Sequence, residues 1–261
     1  HFDDLGQDYK HKIFFDGTIS DCNSGESWLY RSWYGLIELG ENGVIENCQT
    51  SNAGGLIYSN NGSHYVIRGT IQKDKSLRLG FLTNAIIYMA NQGGGTPECT
   101  IESTAHIIDN TGLGIRVNNS SLVIMNGGEI SRNSSYGVQV SGKADWRGVT
   151  FIMNGGTIAD NGGVGISYTV AGESLVELNG GTISGNGSGN YQISASGGYA
   201  VAERDGKSGY EYTHISSNVL GDIRGIYVSA GTVILPEGYA DVNLGRAISE
   251  AVAADRKSTR L

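Results

Sequence analysis

The chain has 261 residues, including 41 glycines and 2 prolines, and its formal net charge at pH 7 is −8. An acidic chain without clustered lysine and arginine lacks the basic patch that nucleic-acid binding requires. No stretch reaches the ~18 consecutive apolar residues that a membrane-spanning helix needs, so we predict neither a nucleic-acid partner nor a transmembrane segment. The composition instead favours one elongated, turn-rich β domain.

Residues 1–12 are polar and mixed in character, and we predict that they form a lead-in or cap over the first coil of strands. The β domain itself is predicted to span residues 13–245. Because the chain begins at His1 rather than at a methionine, we also expect it to be part of a larger surface protein.

A short pattern recurs along the β domain, in which an isoleucine is followed three residues later by a residue that is nearly always small and polar. It is clearest in residues 126–133, 154–161 and 179–186, which share the phrase Asn-Gly-Gly-x-Ile. The isoleucines are Ile19, Ile45, Ile71, Ile107, Ile130, Ile158, Ile183 and Ile215, and the residues three positions later are Cys22, Cys48, Asp74, Asn110, Asn133, Asn161, Asn186 and Asn218. Spacings of 23 to 36 residues between successive isoleucines are typical of a repeating supersecondary unit with inserted loops.

Two more apolar columns accompany the isoleucines. The strand before each isoleucine contains alternating apolar pairs, which are Ile13/Phe15, Tyr65/Ile67, Val123/Met125, Phe151/Met153 and Val176/Leu178. The strand after it is predicted to contribute Leu36, Leu56, Ile86, Ile115, Val138, Ile166, Tyr191 and Ile226. Three short strands per repeat predict an all-β fold, a right-handed parallel β-helix of about eight coils, with the isoleucines inside and the asparagines stacked as a ladder at one corner. A β-sandwich or a propeller would require recurring hairpin turns, which the sequence lacks.

The three cysteines leave one question open. Cys22 and Cys48 occupy the same column on adjacent predicted coils, where the distance between Cα atoms suits either a disulfide or two stacked free thiols. Cys99 has no partner in this scheme and is predicted to be buried. No cysteine or histidine spacing typical of zinc or iron–sulfur sites occurs, so no cofactor is predicted, and calcium is not indicated by any motif.

The first inserted loop, between Ile19 and Gly35, concentrates aromatic residues: it contains Trp28, Tyr30, Trp33 and Tyr34. These rings can fold over the open end of the solenoid as a lid, or they can present a platform for stacking on sugar rings. A second loop, residues 142–148, carries Trp146. Because inserted loops on a solenoid usually carry its binding chemistry, these five aromatic residues are the predicted ligand-binding set.

The best acid–base candidates lie in the outward column directly before the isoleucines, where His106 is adjacent to Glu129. Arg116 lies on the next strand of the same coil as His106, and the three residues are weak candidates for a catalytic group. A structural contact at the surface is the preferred alternative. Two positions after the isoleucines, Asp109, Arg132 and Asp160 predict a surface ladder of ion pairs.

The last part of the chain differs in composition. Residues 246–261 contain an alanine-rich stretch that predicts a short helix or linker, followed by a polar tail. No inserted loop or motif in this part adds a candidate site residue.

The repeats over about residues 13–228 resemble the pectate-lyase-like superfamily of right-handed β-helices. The phrase Asn-Gly-Gly-Thr-Ile is more closely similar to repeats in surface and adhesin-like proteins of gut anaerobes. This resemblance implies a bacterial extracellular or cell-surface location and two functions: a module that binds carbohydrate or cell-surface ligands, or a polysaccharide lyase or glycoside hydrolase. Runs expected in the superfamily's enzymes, such as Asn-Thr-Asp, Gly-His-Gly and Arg-Ile-Lys, do not occur, so the binding module is favoured.

Overall fold

A computed structural model describes residues 11–51, 54–77, 84–91, 94–141, 149–170, 175–187, 193–197, 210–212, 222–228 and 232–234. These residues form a parallel β-solenoid of about six turns and contain no helix. The predicted all-β solenoid is therefore confirmed. The predicted cap, the alanine-rich stretch and tail, and the 142–148 loop lie outside the described residues, except that His11 and Lys12 belong to the first strand.

Three sheets run along the solenoid, and we number them 1 to 3. Sheet 1 contains β1 (His11–Phe15), β4 (Gly35–Leu39), β8 (His64–Ile67), β12 (Glu98–Ile101), β15 (Leu122–Met125), β18 (Thr150–Met153), β21 (Leu175–Leu178), β25 (Asp222–Val228) and β24 (Tyr210–Tyr212). Sheet 2 contains β2 (Thr18–Ser20), β5 (Val44–Glu46), β9 (Thr70–Gln72), β13 (His106–Ile108), β16 (Glu129–Ser131), β19 (Thr157–Ala159), β22 (Thr182–Ser184) and β26 (Thr232–Ile234).

Sheet 3 contains β3 (Tyr30–Ser32), β7 (Ile57–Asn60), β11 (Ala85–Ala90), β14 (Leu113–Asn118), β17 (Val138–Ser141), β20 (Ile166–Val170) and β23 (Ile193–Gly197). A short pair, β6 (Gln49–Thr50) and β10 (Lys75–Ser76), lies beside them. The described strands pair in parallel except for the antiparallel pair β24 and β25. No helix among the described residues is long and apolar enough to cross a membrane.

The isoleucine column of sheet 2 forms the centre of the core, as predicted. Ile107, Ile130 and Ile158 are each 0 % exposed and pair in register, and Ile183 follows at 2 %. The eighth position is occupied by Val233, which pairs with Ile183, whereas Ile215 lies outside the described residues. Sheet 2 has eight strands and sheet 3 has seven, so counting one coil for each isoleucine overestimated the number of complete turns.

The predicted third column is correct only in its middle. Ile115, Val138 and Ile166 pair as expected, but the flanking inward residues of sheet 3 are Tyr30, Ile57, Ile87 and Ile193. Leu56 and Ile86 each precede the paired residue by one position, and Leu36 and Ile226 belong to sheet 1. Two adjacent apolar residues do not reveal which of them points inward, so the register was misassigned there.

The first seven strands of sheet 2 each end in a sharp corner built by one left-handed residue. The residue two positions after the isoleucine has a φ of 53° to 58°, and these residues are Asp21, Asn47, Lys73, Asp109, Arg132 and Asp160. The equivalent residue of the next coil is Gly185, with a φ of 64°. A left-handed residue is costly for side chains other than glycine, asparagine and aspartate, so the surrounding pairs of strands must hold Lys73 and Arg132 in place.

Immediately after this corner, the predicted asparagine ladder is present. Asn133 donates from its backbone N and its Nδ2 to Oδ1 of Asn161, at 3.0 Å in both cases. Asn161 repeats these two bonds to Asn186, and Asn110 repeats them to Asn133. Asp74 and Cys48 continue the column toward the N-terminus. The buried amides of Asn110, Asn133 and Asn161 therefore hydrogen-bond to one another and to the backbone along the corner.

The cysteines are free thiols. Of the two alternatives for Cys22 and Cys48, a disulfide or two free thiols, the second is therefore correct. Cys48 is fully buried, and its Sγ lies 3.4 Å from the backbone oxygen of Glu46. Cys99 is also fully buried, in β12. All three thiols thus belong to the solenoid wall or its corner rather than to a metal site.

Candidate functional site

The outward face of sheet 3 carries a row of large side chains. Arg31, Tyr58, Tyr88 and Arg116 pair with one another in register on β3, β7, β11 and β14. We call these four residues the aromatic–arginine row. Because parallel strands lie ~4.8 Å apart, the side chains of this row are neighbours along the solenoid axis, and Tyr58 is 3 % exposed among them. The Tyr58 and Tyr88 rings are 5.4 Å apart.

The inserted loop before β3 completes this surface at its N-terminal end. Trp28 stacks on Tyr58 with ring centroids 5.3 Å apart and an interplanar angle of 24°. The Arg31 guanidinium lies 4.4 Å from the centroid of Trp28 and 4.7 Å from that of Trp33. Gly54 has no room for a Cβ because the Trp28 indole packs against it. The Arg31 guanidinium therefore lies against both Trp28 and Trp33. Trp28 also contacts Tyr58, which connects the two tryptophans to the aromatic–arginine row.

The other predicted aromatic residues have different positions. Tyr34 is 47 % exposed, and its hydroxyl accepts a hydrogen bond from Nδ2 of Asn61 at 3.3 Å. Tyr30 points toward the core, where its ring meets Tyr65 edge-on at 6.0 Å and burial raises the pKa of its hydroxyl. The structure thus brings Trp28, Trp33 and Arg31 together, with Tyr30 on the inner side. Trp146 lies outside the described residues.

Buried polar atoms without a hydrogen-bond partner concentrate on this sheet. Among the described residues, such atoms at sheet 3 or its adjoining loops belong to Trp28, Arg31, Asn60, Asn61, Arg116, Asn119, Gln139 and Ser141. The corresponding atoms on the other parts of the described chain belong to Asp74 and Ser76. Unpaired buried polar atoms are uncommon in proteins and are costly. Their accumulation on one face marks it as different from the rest of the solenoid surface.

His106 and Glu129 do meet, on sheet 2. His106 Nδ1 lies 3.2 Å from Glu129 Oε2, and Glu129 also accepts hydrogen bonds from Ser131 and from Arg132 Nη1, the latter at 2.9 Å. The bond from Ser131 is the main cause that lowers the pKa of Glu129. Arg116 is not part of this group, since it lies on sheet 3 with its guanidinium 5.1 Å from the Tyr88 ring centroid.

The predicted ion ladder is present in part. Arg132 Nε lies 2.8 Å from Asp109 Oδ1, so Arg132 bridges Asp109 and Glu129. Asp160, one coil further on, takes no part in these ion pairs. A carboxylate held ionised by three donors is poorly suited to deliver a proton. The group therefore resembles a surface network more than an acid–base pair.

We expect the Glu129→Gln variant to lose little stability, about 0–1 kcal/mol, because exposed ion pairs contribute little to the free energy of unfolding. Thermal unfolding of the variant and wild type at pH 7 measures this. We also expect the two proteins to give identical product profiles with polysaccharide substrates. Product release by wild type that disappears in a folded Glu129→Gln protein would establish a catalytic role for Glu129.

Sequence analysis missed three features of the described surface. Tyr58 and Tyr88 lie inside strands, where alternation alone identifies them as outward but not as stacked. Arg31, which lies between the tryptophans of the first inserted loop, was not predicted as a site residue. His64 was not noted: it lies 3.6 Å from Glu98, and burial lowers its pKa to about 4. These residues are 27 to 34 positions apart between coils, so only the coil register brings them together.

The described residues include no cluster of three histidine, cysteine, aspartate or glutamate side chains able to hold a metal ion. Comparison of the chain with protein-family models, curated proteins and solved structures finds no match. Its function must therefore be inferred from its own geometry.

Proposed function

We propose that this protein is a bacterial cell-surface or extracellular module that binds carbohydrate through the outward face of sheet 3. The observation that carries the proposal is the continuous stack formed by Trp28, Trp33 and the aromatic–arginine row. Aromatic faces bind the apolar faces of sugar rings while their edges and neighbouring polar groups bind hydroxyls. A rigid parallel sheet holds this stack in place without any loop movement.

Two features support binding over a lid. Trp28 contacts Tyr58, a strand residue of sheet 3, which places the indole beside the sheet wall. Trp33 remains 47 % exposed, and its described ring contact is with Arg31. A lid would be expected to bury its large rings over the core, as Tyr30 does with Tyr65. The aromatic loop therefore contributes one ring to the core and at least two rings to the outer surface.

The alternative function, a polysaccharide lyase or glycoside hydrolase, has less support. Glycoside hydrolysis requires two carboxyl groups about 5–9.5 Å apart across the scissile bond, with one of them able to donate a proton. The strands of sheet 3 contain no aspartate or glutamate among the residues described. The surface best suited to hold a sugar chain thus lacks strand carboxyl groups that would cleave it.

The test compares Trp33→Ala with Trp28→Ala and uses Phe14→Ala as a matched control. We expect Trp33→Ala to weaken glycan retention by about tenfold, as the loss of one aromatic stacking surface implies, with little effect on thermal stability. Trp28→Ala should reduce both, because Trp28 also packs on Tyr58. Phe14 is 66 % exposed on sheet 1, so its removal deletes an exposed ring outside the proposed site and should change neither property.

The measurement is a glycan array on wild type, followed by affinity and melting-temperature determinations on the three variants. Retention that survives in Trp33→Ala at the wild-type level contradicts the proposed site. An array on which wild type binds no glycan contradicts the proposed function itself.

A further inference from the structure

We propose that the glycan bound by sheet 3 carries carboxylate groups, which Arg31 and Arg116 recognise at the two ends of the aromatic–arginine row. The inference rests on the proposed carbohydrate-binding function and specifies its ligand. It follows from how the chain distributes its arginines and its acidic residues.

The structure describes four arginine side chains, and they fall into two pairs. Arg68 is paired with Glu38, and Arg132 is paired with Asp109 and Glu129. Arg31 and Arg116, in contrast, have no carboxylate within 4 Å and no hydrogen bond among the described interactions. Instead, each guanidinium stacks on aromatic rings.

This stacking leaves the terminal Nη atoms of the two guanidiniums available for hydrogen bonds. The Nε atoms of Arg31 and Arg116 are buried and have no partner. Their terminal Nη atoms are also without partners but are not buried, so they reach the surface. A guanidinium fixed by stacking presents its donors in a planar fork that matches a carboxylate in a bidentate manner. Binding a carboxylate would satisfy donors that the protein itself leaves unpaired.

The acidic residues are distributed so that they do not compete for these arginines. The described strands of sheet 1 contain Glu38, Glu98, Glu177, Glu211 and Asp222, and those of sheet 2 contain Glu46 and Glu129. The seven strands of sheet 3 contain none. In a chain with 26 aspartates and glutamates, the described strands of this face carry only positive charges, those of Arg31 and Arg116.

The overall charge of −8 does not oppose this inference at physiological ionic strength. The Debye length there is about 8 Å, so carboxylates on the other sheets act weakly on an anion bound to sheet 3. The two nearest charges, Arg31 and Arg116, determine the local potential. At low salt the distant carboxylates contribute more, and at high salt the attraction of the arginines is itself screened.

The spacing of the row defines the ligand further. Arg31 and Arg116 are separated by three strand spacings, or about 14 Å along the axis. Tyr58 and Tyr88 fill the interval. Tyr58 is 3 % exposed because Trp28 and Arg31 cover its ring, so a sugar chain lying along the axis would contact Tyr88, which is partly exposed, and place carboxylates on the two arginines. The geometry therefore fits an extended acidic glycan better than a single monosaccharide.

The test uses three charge-matched variants, Arg31→Gln, Arg116→Gln and Arg68→Gln, each of which removes one positive charge. The probes are alginate, in which each sugar carries a carboxylate, and the same polymer after carboxyl reduction. We expect wild type to bind alginate at least about tenfold more tightly than the reduced polymer. Arg31→Gln and Arg116→Gln should each lose about tenfold for alginate and less than about twofold for the reduced polymer, as charge-assisted hydrogen bonds predict.

Arg68→Gln should bind both polymers as wild type does, because Arg68 pairs with Glu38 on sheet 1. Arg31→Lys keeps the charge but loses the planar fork, so it should recover only part of the affinity. Sialyllactose and lactose form a second matched pair of probes that identifies a terminal rather than an internal acidic sugar as the ligand. Melting temperatures of all variants ensure that affinities are compared between folded proteins.

Three outcomes would overturn the inference. Equal affinity of wild type for alginate and its reduced form, with no preference for sialyllactose over lactose, would leave the carbohydrate-binding proposal standing and remove the acidic ligand. Tighter binding of dextran sulfate than of either carboxylated probe would show that the arginines serve a sulfated polymer. Failure to bind any of these probes or any array glycan would contradict the proposed function as well.

Discussion

Replacing Asn161 with leucine is expected to lower the free energy of unfolding by about 3–5 kcal/mol, because several buried polar groups lose their partners together. Oδ1 of Asn161 accepts hydrogen bonds from the backbone N and Nδ2 of Asn133. Its Nδ2 donates to the backbone oxygen of Ile130 and to Oδ1 of Asn186. Leucine has nearly the same size but can replace none of these bonds.

Asn154→Leu provides the matched control, since Asn154 belongs to the same repeat and also stands in a row of asparagines. Its Nδ2 donates to Oδ1 of Asn126 at 3.0 Å, and its own Oδ1 accepts from Nδ2 of Asn179. Asn154 is exposed, however, and water replaces its lost partners. We expect a loss below about 1 kcal/mol for this variant. Urea unfolding of both variants measures the difference, and similar losses would contradict a special role for burial in the ladder.

Much of the solenoid could be predicted because one residue type predominates in each of its two most regular columns. Isoleucine recurs in sheet 2 and asparagine at the corner, three residues later, so a single alignment of repeats defines both. The physical reason is that parallel coils place each residue directly above its equivalent. A buried amide is satisfied by another amide in the same position, which favours the same residue in successive coils.

Sheet 3 was less predictable because its strands follow loops of different length. Near the starts of β7 and β11 the chain contains Leu56-Ile57 and Ile86-Ile87, and either residue of each pair suits the core. Only the strand pairing shows that Ile57 and Ile87 are the ones in register. All four residues are nonetheless buried, so a composition-based core prediction succeeds where the register prediction fails.

The candidate site also has one part that could be predicted from the sequence and one part that could not. The tryptophans of the first inserted loop could be identified locally, because large rings in a polar loop require an explanation. Tyr58, Tyr88 and Arg116 could not, since each is an ordinary outward residue of its own strand. Only the strand register shows that they form one row with Arg31. A search of the sequence for aromatic residues at equivalent outward positions of successive coils would be the signal to use.

Asp74 is the acidic member of the otherwise neutral ladder. Its Oδ1 accepts a hydrogen bond from the backbone N of Cys48 at 2.7 Å, and its own backbone N donates to Oδ1 of Asn110 at 2.9 Å. Asp74 therefore occupies its rung as an asparagine would. Its Oδ2, however, is buried and has no partner.

Asn110, the next residue of the ladder, shows which hydrogen bond Oδ2 of Asp74 lacks. Asn110 Nδ2 donates to the backbone oxygen of Ile71, the isoleucine of the preceding coil. The equivalent oxygen for Asp74 belongs to Ile45, and an ionised Oδ2 has no hydrogen to offer it. A protonated Oδ2 does. Desolvation by burial is the main cause that raises the pKa of Asp74 from 3.8 to about 7, in agreement with a protonated rung.

This shift determines how stability depends on pH. The folded protein binds the proton of Asp74 more tightly than the unfolded chain does. The full contribution to stability is present below pH 3.8 and is lost as the pH rises through about 7. The difference between the two pKa values corresponds to about 4 kcal/mol once the pH exceeds both. Above neutral pH, the solenoid therefore contains a buried carboxylate at a position built for an amide.

The Asp74→Asn variant is expected to be more stable than wild type at pH 8 by about 3–4 kcal/mol, because asparagine supplies the missing donor without carrying a charge. At pH 5, where most of the folded wild type retains the proton, the gain should be about 2–3 kcal/mol smaller. Urea unfolding of both proteins at the two pH values gives this difference directly. The titration of His64 and Glu98 affects both proteins equally and cancels. A stability difference that does not change between pH 5 and pH 8 would mean that Asp74 is ionised throughout this range. An Asp74→Asn variant that is less stable than wild type at pH 8 would mean that this position of the ladder does not accept an amide.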